Sequence, residues 1–214
     1  MRPRTLTLLL TLALVASLVP LAMAWRLPGD NTGYEPVQPV AYSHRLHAGD
    51  MEIPCLYCHS GAERSRYAGI PATSVCMNCH RLVTAGKSAV DEEVLLAEEE
   101  ERPAKRIVSP ELAKLYESLG LDERLAPTPG HVEKPIAWVR VHNLADFVRF
   151  DHSPHVTAGL ACQSCHGPIE TMERVRQEAS LSMGWCLSCH RDLSEAGIAG
   201  KAVHASTDCT TCHY

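Results

Sequence analysis

One long apolar run dominates the hydrophobic pattern of the chain. It extends from Leu6 to Trp25 and follows two basic residues, Arg2 and Arg4. As a helix, these 20 residues would be about 30 Å long, which matches the hydrocarbon core of a bilayer. The basic residues would keep the N-terminus in the cytoplasm and direct the following chain outward. Residues 1–25 are therefore predicted to form a transmembrane anchor or, alternatively, a signal peptide.

The signal-peptide alternative depends on the end of this run. Ala22, Met23 and Ala24 have the small-x-small pattern of a signal-peptidase site. The length of the run favours an uncleaved, single-pass anchor, and Pro20 is compatible with a spanning helix. Both alternatives export the rest of the chain, so this outward placement is predicted either way.

Residues 83–140 differ in character from the chain on either side. Seven of the positions 91–101 are acidic, which is typical of a solvated helix or loop. A short helix is predicted to follow, with Ser109 as N-cap, Pro110 in its first turn and Gly120 at its end. The sequence PTPG that follows predicts a turn or linker. Residues 83–140 are therefore predicted to form an acidic helical insert.

Composition limits what the interior can contain. The 214 residues include two Phe, and aromatic residues total 5%, which is little material for a side-chain core. The net charge of −5 argues against a nucleic-acid partner, because such proteins present a basic surface. Ten cysteines are the other unusual feature, and their spacing indicates their chemistry.

Every cysteine belongs to a C-x-x-C pair that is followed directly by histidine. C-x-x-C-H is the attachment motif of c-type haem, in which the thiols form thioethers and the histidine is the proximal iron ligand. Zinc sites and disulfides do not require a histidine after each pair, so five haem c groups are predicted. We number the motifs 1 to 5 along the chain: Cys55, Cys58, His59; Cys76, Cys79, His80; Cys162, Cys165, His166; Cys186, Cys189, His190; and Cys209, Cys212, His213.

Five covalent haems determine the expected fold class. The short stretch of chain around each haem would not hold together by side-chain burial alone. The macrocycles would supply apolar bulk and cross-links in place of a conventional core. We therefore predict a mainly α fold with extensive loop, short helices and little sheet, packed around haem.

Seven histidines remain after the five proximal ligands, enough to fill the second axial position of every iron. His44 with His47, and His152 with His155, form two H-x-x-H pairs that each lie shortly before a motif. These four are predicted to be distal ligands, because an iron with two protein ligands suits electron transfer. His142 is predicted to be the fifth distal ligand.

Other residues are alternatives for the fifth axial position. His131 and His204 are the remaining histidines. Met51 and Met183 lie near motifs, and a methionine ligand would raise the potential of its haem. Met77 lies between two thioether cysteines, where it is poorly placed to reach across its own haem.

The motifs are arranged as an approximate repeat. His44, motif 1 and motif 2 recur as His152, motif 3 and motif 4 at offsets of 108, 107 and 110 residues. Such a repeat predicts two copies of one structural unit. Residues 26–82 are therefore predicted to form a first two-haem unit, and residues 141–214 a second two-haem unit with the fifth haem appended.

Several of these segments resemble a known family. H-x-x-H ahead of C-x-x-C-H is similar to the class III multihaem cytochromes c. The segments YSHRLHAG with CLYCH, IPATSVCMNCHR, SPELAKLY, IAWVRVHNLADFVRFDHSPH with CQSCHGPIE, and MGWCLSCHR resemble the pentahaem, membrane-anchored subunit of alternative complex III, a bacterial quinol:electron-acceptor oxidoreductase. The resemblance supports His142, His152 and His155 as axial ligands. It also implies that the first histidine of each pair serves the haem that follows it, whereas the acidic stretch 91–106 has no counterpart.

The resemblance implies electron transfer without bond-making catalysis. Such a subunit lies on the periplasmic side of the inner membrane and receives electrons through an iron–sulfur subunit or from polytopic quinol-oxidising membrane subunits. It passes them to a monohaem cytochrome c subunit, a soluble carrier or a terminal oxidase. One alternative is a stand-alone, membrane-anchored quinol dehydrogenase that feeds a periplasmic reductase; the repeat and the insert argue against it. Another is a multihaem enzyme, which would need an open iron.

Overall fold

The computed structural model describes residues 16–17 and 30–213. The predicted anchor lies almost entirely outside these residues, and none of the described helices is long and apolar enough to cross a membrane. A π-helical segment spans Arg45–Asp50, and a 3-10 turn spans Ile169–Thr171. Between residues 30 and 213 the α-helices are α1 Cys55–Cys58, α2 Thr73–His80, α3 Lys87–Glu99, α4 Pro110–Ser118, α5 His152–Thr157, α6 Gln163–His166, α7 Met183–Ala196 and α8 Cys209–Cys212.

The described chain is mainly helical with extensive loop, which confirms the predicted secondary-structure class. Within residues 30–213, β structure amounts to isolated bridges: Leu121 with Pro127, Val148 with His213, and Ile198 with Lys201. All five motifs include helical turns. Because residues three apart lie on the same face of a helix, this turn brings the two thiols of each motif to one side.

The insert contains the two helices that connect the predicted units. Helix α4 begins as expected: the Ser109 hydroxyl accepts a hydrogen bond from the Leu112 backbone N–H, and Pro110 occupies the first turn. Gly120 follows with φ +71°, a backbone conformation that glycine adopts without strain. The acidic stretch is helical in α3 and is mostly exposed, which confirms the prediction of a solvated segment.

Side chains alone make a small core. Of the described residues, six apolar ones are buried: Ala62, Ala97, Leu115, Tyr116, Val141 and Met172. Helix α4 contacts α2 of the first unit, and the Tyr116 hydroxyl donates a 2.5 Å hydrogen bond to the His80 carbonyl. Three of the six buried apolar residues, Ala97, Leu115 and Tyr116, belong to the insert, so half of this small core lies there.

A partly buried ion pair joins the two ends of the acidic stretch. Glu93 accepts a 2.5 Å hydrogen bond from the Arg102 guanidinium and a 2.7 Å bond from the Lys105 backbone N–H. The hydrogen bond from Arg102 is the main reason that the pKa of Glu93 falls from 4.5 to about 2. A carboxylate with a lowered pKa stabilises the folded state above its unfolded pKa and loses that contribution as the pH falls.

We expect the segment after α3 to loosen as the pH falls from about 4.5 towards about 2, because protonation of Glu93 breaks these bonds. Glu93→Gln should loosen the same segment at neutral pH and abolish its acid dependence. Hydrogen exchange at residues 100–106 would measure both effects. The matched control is Glu92→Gln, since Glu92 is exposed; equal exchange in the two variants would contradict the role given to Glu93.

Candidate haem sites

Four non-motif histidines each lie opposite a motif histidine. In the equivalent pairs of the two predicted units, His44 with His59 and His152 with His166, the rings are parallel within 4°. Motifs 1 to 4 are thus each brought together with one predicted distal histidine. The ring-centroid distances are 6.4 Å for His44 and His59, 6.1 Å for His47 and His80, 6.4 Å for His152 and His166, and 6.0 Å for His155 and His190.

These separations fit two ligands of one metal ion. Metal–imidazole bonds are about 2 Å long, so the ring centroids of two imidazoles on opposite sides of one ion lie about 6 Å apart. Each of the four sites also has two thiols on one face of a helical turn. Two thiols and two facing imidazoles are the donor set that c-type haem with two axial histidines requires.

The histidine tautomers also fit c-type haem. Because a carbonyl oxygen accepts and never donates, a ring whose Nδ1 bonds to a carbonyl carries its proton there and keeps the Nε2 lone pair for a metal. Six of the eight rings are held in this way. The bonds run from His59 to Gly69 (2.7 Å), His80 to Val83 (2.8 Å), His190 to Ser206 (2.5 Å), His47 to Ser43 (2.8 Å), His152 to Arg66 (2.7 Å) and His155 to Asp151 (2.7 Å).

The other two rings, His44 and His166, are the most perturbed histidines of these sites. Burial, with smaller contributions from His59 and His47, lowers the pKa of His44 to about 4. Burial also lowers the pKa of His166 to about 4, with His142 as the next cause. Both imidazoles are therefore neutral near pH 7, which is the form that binds metal. The buried Nδ1 of His44 has no hydrogen-bond partner in the described chain.

His142 lies beside motif 3. Its Nε2 is 3.1 Å from Nδ1 of His166, and the two ring centroids are 4.5 Å apart at an interplanar angle of 83°. Burial lowers the pKa of His142, and His152 adds to this effect. The sequence prediction makes His142 the fifth distal ligand without assigning it to a particular haem. The structure places it beside the proximal histidine of motif 3.

Motif 5 is tied to the segment that precedes α5. The Arg149 backbone N–H donates a 2.7 Å hydrogen bond to the Cys212 carbonyl, and Val148 pairs with His213. In the described chain, the ring that lies against His213 is that of Phe147, with centroids 5.8 Å apart. The structure therefore places motif 5 on the chain that leads into the His152 and His155 pair.

The alternative axial residues lie elsewhere. His131 contacts Gly120 in the insert. His204 lines an open cavity of about 430 Å³ together with Arg191 and Asp208. Met51 and Met183 are exposed. Neither His131 nor His204 has a ring contact with a motif histidine in the described chain.

Two aromatic residues support the H-x-x-H pairs and were missed from the sequence. Tyr42 stacks on His47 at 4.4 Å and meets His44 edge-on at 4.9 Å. Phe150 contacts His152 and His155, both at 4.8 Å. Each aromatic residue precedes the first histidine of its pair by two positions. Tyr42 and Phe150 are therefore 108 residues apart, like His44 and His152, and aligning the two repeats would have identified them. Burial is the main cause that raises the pKa of Tyr42 to about 12, so its hydroxyl stays protonated.

Comparison with known proteins relates part of the chain to multihaem cytochromes c. Residues 148–214 match the family model described as cytochrome c7 and related cytochrome c, and this region includes motifs 3 to 5. Residues 148–214 are therefore similar to multihaem cytochrome c domains, which transfer electrons through covalently bound haem c. A curated relative is the multihaem cytochrome c subunit of menaquinone reductase from Nitratidesulfovibrio vulgaris Hildenborough. The two proteins are 24% identical, and the match covers 82% of this chain and 76% of the relative.

Proposed function

We propose that this chain is a five-haem electron-transfer subunit of a membrane complex that oxidises quinol. The observation that carries the proposal is the set of four facing histidine pairs at 6.0 to 6.4 Å. Bound c-type haem supplies one-electron chemistry at iron. At motifs 1 to 4 the two facing histidines would both hold the iron, which would suit electron transfer because substrate would be kept from the metal.

The covalent ligands are the ten cysteines of the motifs, and the proximal ligands are the five histidines that follow them. The distal ligands proposed for motifs 1 to 4 are His44, His47, His152 and His155. Six of these rings are hydrogen-bonded from Nδ1 to a carbonyl oxygen, which would leave Nε2 to bind iron. Such bonds fix ring orientation and keep each ligand basic.

The proposed location is the periplasmic face of the inner membrane, with residues 1–25 as the anchor. The proposed partners are an iron–sulfur subunit, polytopic quinol-oxidising subunits and monohaem cytochrome c subunits, as in alternative complex III. The apolar run at the N-terminus and the similarity to a subunit of a quinone-linked complex support a membrane assembly.

The similarity to a menaquinone reductase subunit also favours a second candidate. In that alternative the same chain carries electrons from a periplasmic donor to menaquinone, so that electrons flow in the opposite direction. The haem sites suit both directions, since the ligand set does not select one. The partner subunits determine which of the two applies.

Purification of the native complex in mild detergent tests the proposal. We expect the chain to co-purify with an iron–sulfur protein and polytopic subunits, and we expect added menaquinol to reduce its haems faster than a periplasmic cytochrome does. Faster reduction by the periplasmic donor would favour menaquinone reduction. Isolation of the chain with only a periplasmic reductase would contradict the complex and favour a stand-alone quinol dehydrogenase.

A further inference from the structure

We infer that the five haem sites form a line in the order motif 2, motif 1, motif 3, motif 4, motif 5. Spatial order then differs from chain order at the first two sites, and motifs 2 and 5 are the ends where one-electron partners exchange electrons. This inference rests on the proposed function, because it requires every motif to carry haem.

The H-x-x-H pairs fix two links of the line. His44 and His47 lie on one helical segment and face motifs 1 and 2, respectively. A hydrogen bond of 3.0 Å from Asn78 to the Tyr57 hydroxyl also joins motifs 1 and 2. In the second unit, one turn of α5 carries both residues of the second pair and so places motifs 3 and 4 side by side.

Motif 1, and not motif 2, makes the link to motif 3. The π-helical segment packs against the 3-10 turn that follows motif 3, with a 2.9 Å bond from the Arg45 N–H to the Met172 carbonyl. The loop after motif 1 also reaches both sites, since its carbonyls accept bonds from His59 and His152. The two predicted units therefore meet through motifs 1 and 3.

The last link joins motif 4 to motif 5. His190 of motif 4 is hydrogen-bonded to the Ser206 carbonyl, three residues before motif 5 begins. Motif 5 consequently extends the line beyond motif 4.

Exposure independently identifies the ends. Cys79 of motif 2 and Cys209 of motif 5 are exposed, while the other eight cysteines are partly covered. Because thioether cysteines sit at the haem edge, these two edges would be the most accessible to a partner. The insert covers the opposite side of motif 2, where Tyr116 bonds to the His80 carbonyl.

Nuclear Overhauser contacts between haems in the fully reduced holoprotein test this order. Each haem would be assigned through contacts to the residues between its own cysteines. We expect contacts between haems 1 and 2 and between haems 1 and 3, without contacts between haems 2 and 3. Contacts between haems 2 and 3 in place of haems 1 and 3 would overturn the order. A haem count below five in the same sample would instead contradict the proposed function.

A separate observation assigns a role to His142. We propose that His142 is a positioning residue that tunes the third haem by accepting a hydrogen bond from its proximal ligand. When His166 binds iron through Nε2 as a neutral imidazole, its proton is on Nδ1, 3.1 Å from Nε2 of His142. His142 Nε2 is then occupied and unavailable as an axial ligand.

This contact distinguishes the third site from its neighbours. The proximal histidines of motifs 1, 2 and 4 donate to backbone carbonyls, whereas that of motif 3 donates to an imidazole nitrogen. An acceptor at this position increases the basicity of the ligand, which favours oxidised iron and lowers the potential. Two substitutions separate this role from axial ligation: His142→Phe removes the acceptor, and His142→Gln keeps one.

Potentiometric titration and electron paramagnetic resonance of the full-length holoprotein test the role of His142. We expect His142→Phe to raise the potential of one haem without adding a high-spin signal, and His142→Gln to reverse most of the rise. A new high-spin haem in both variants would show that His142 is an axial ligand. Unchanged potentials in His142→Phe, with five haems bound, would also overturn the proposal.

Discussion

Replacing His152 by Met should raise the potential of one haem and leave the other four nearly unchanged. His152 faces His166 with parallel rings 6.4 Å apart, so Met would become the distal ligand of the third haem or leave that position open. Methionine is a weaker donor to oxidised iron than histidine and raises the potential. Axial ligands span about 0.8 V of potential among haem proteins, so the shifted component should separate clearly in a spectroelectrochemical titration.

The appropriate control for this substitution is His131→Met. His131 contacts Gly120 within the insert, far along the chain from motif 3, and should change none of the five potentials. If His152→Met leaves every potential unchanged while all haems remain bound, His152 is not a ligand. If His131→Met shifts a component, the fifth distal ligand lies in the insert.

Removing both thiols of motif 5, with Cys209→Ala and Cys212→Ala together, should lower the haem content from five to four. Each haem has its own covalent attachment, so the first four should remain bound with unchanged spectra. The C-terminal segment should also become sensitive to protease. Without its haem, motif 5 would be held by the backbone contacts of Arg149 and Val148, which are weaker than covalent attachment. Haem content by pyridine haemochrome assay and limited proteolysis measure the two effects.

Thr211→Ser is the matched control, since it alters the same motif and leaves both thiols and His213 in place. It should retain five haems. Loss of two or more haems from the double cysteine variant would contradict independent attachment. Retention of all five in that variant would show that motif 5 is not an attachment site.

The sequence predicted chemistry better than geometry, because c-type haem attachment depends on local spacing. C-x-x-C-H is complete within five residues, so its five copies were visible without a fold. The helix capped by Ser109 was predictable for the same reason, because an N-cap and the first turn of its helix are adjacent in the chain. The predicted anchor lies almost entirely outside the described residues and stays a prediction.

Contacts over long chain distances were not predictable. His142 is 24 residues from His166, and its position in a family-like segment suggested axial ligation, whereas the fold places it beside a proximal ligand. The acceptor for His152 is the carbonyl of Arg66, 86 residues away, and a backbone carbonyl has no signature in the sequence. The inferred spatial order of the haem sites depends on such contacts between the two units. It therefore differs from the order of the motifs along the chain.

Intact mass spectrometry of the denatured holoprotein tests the central claim most directly, because thioether-linked haem survives unfolding. The account predicts the mass of the polypeptide plus five haems, with or without residues 1–24. A polypeptide without added haem, or one with fewer than five in fully matured protein, would contradict it.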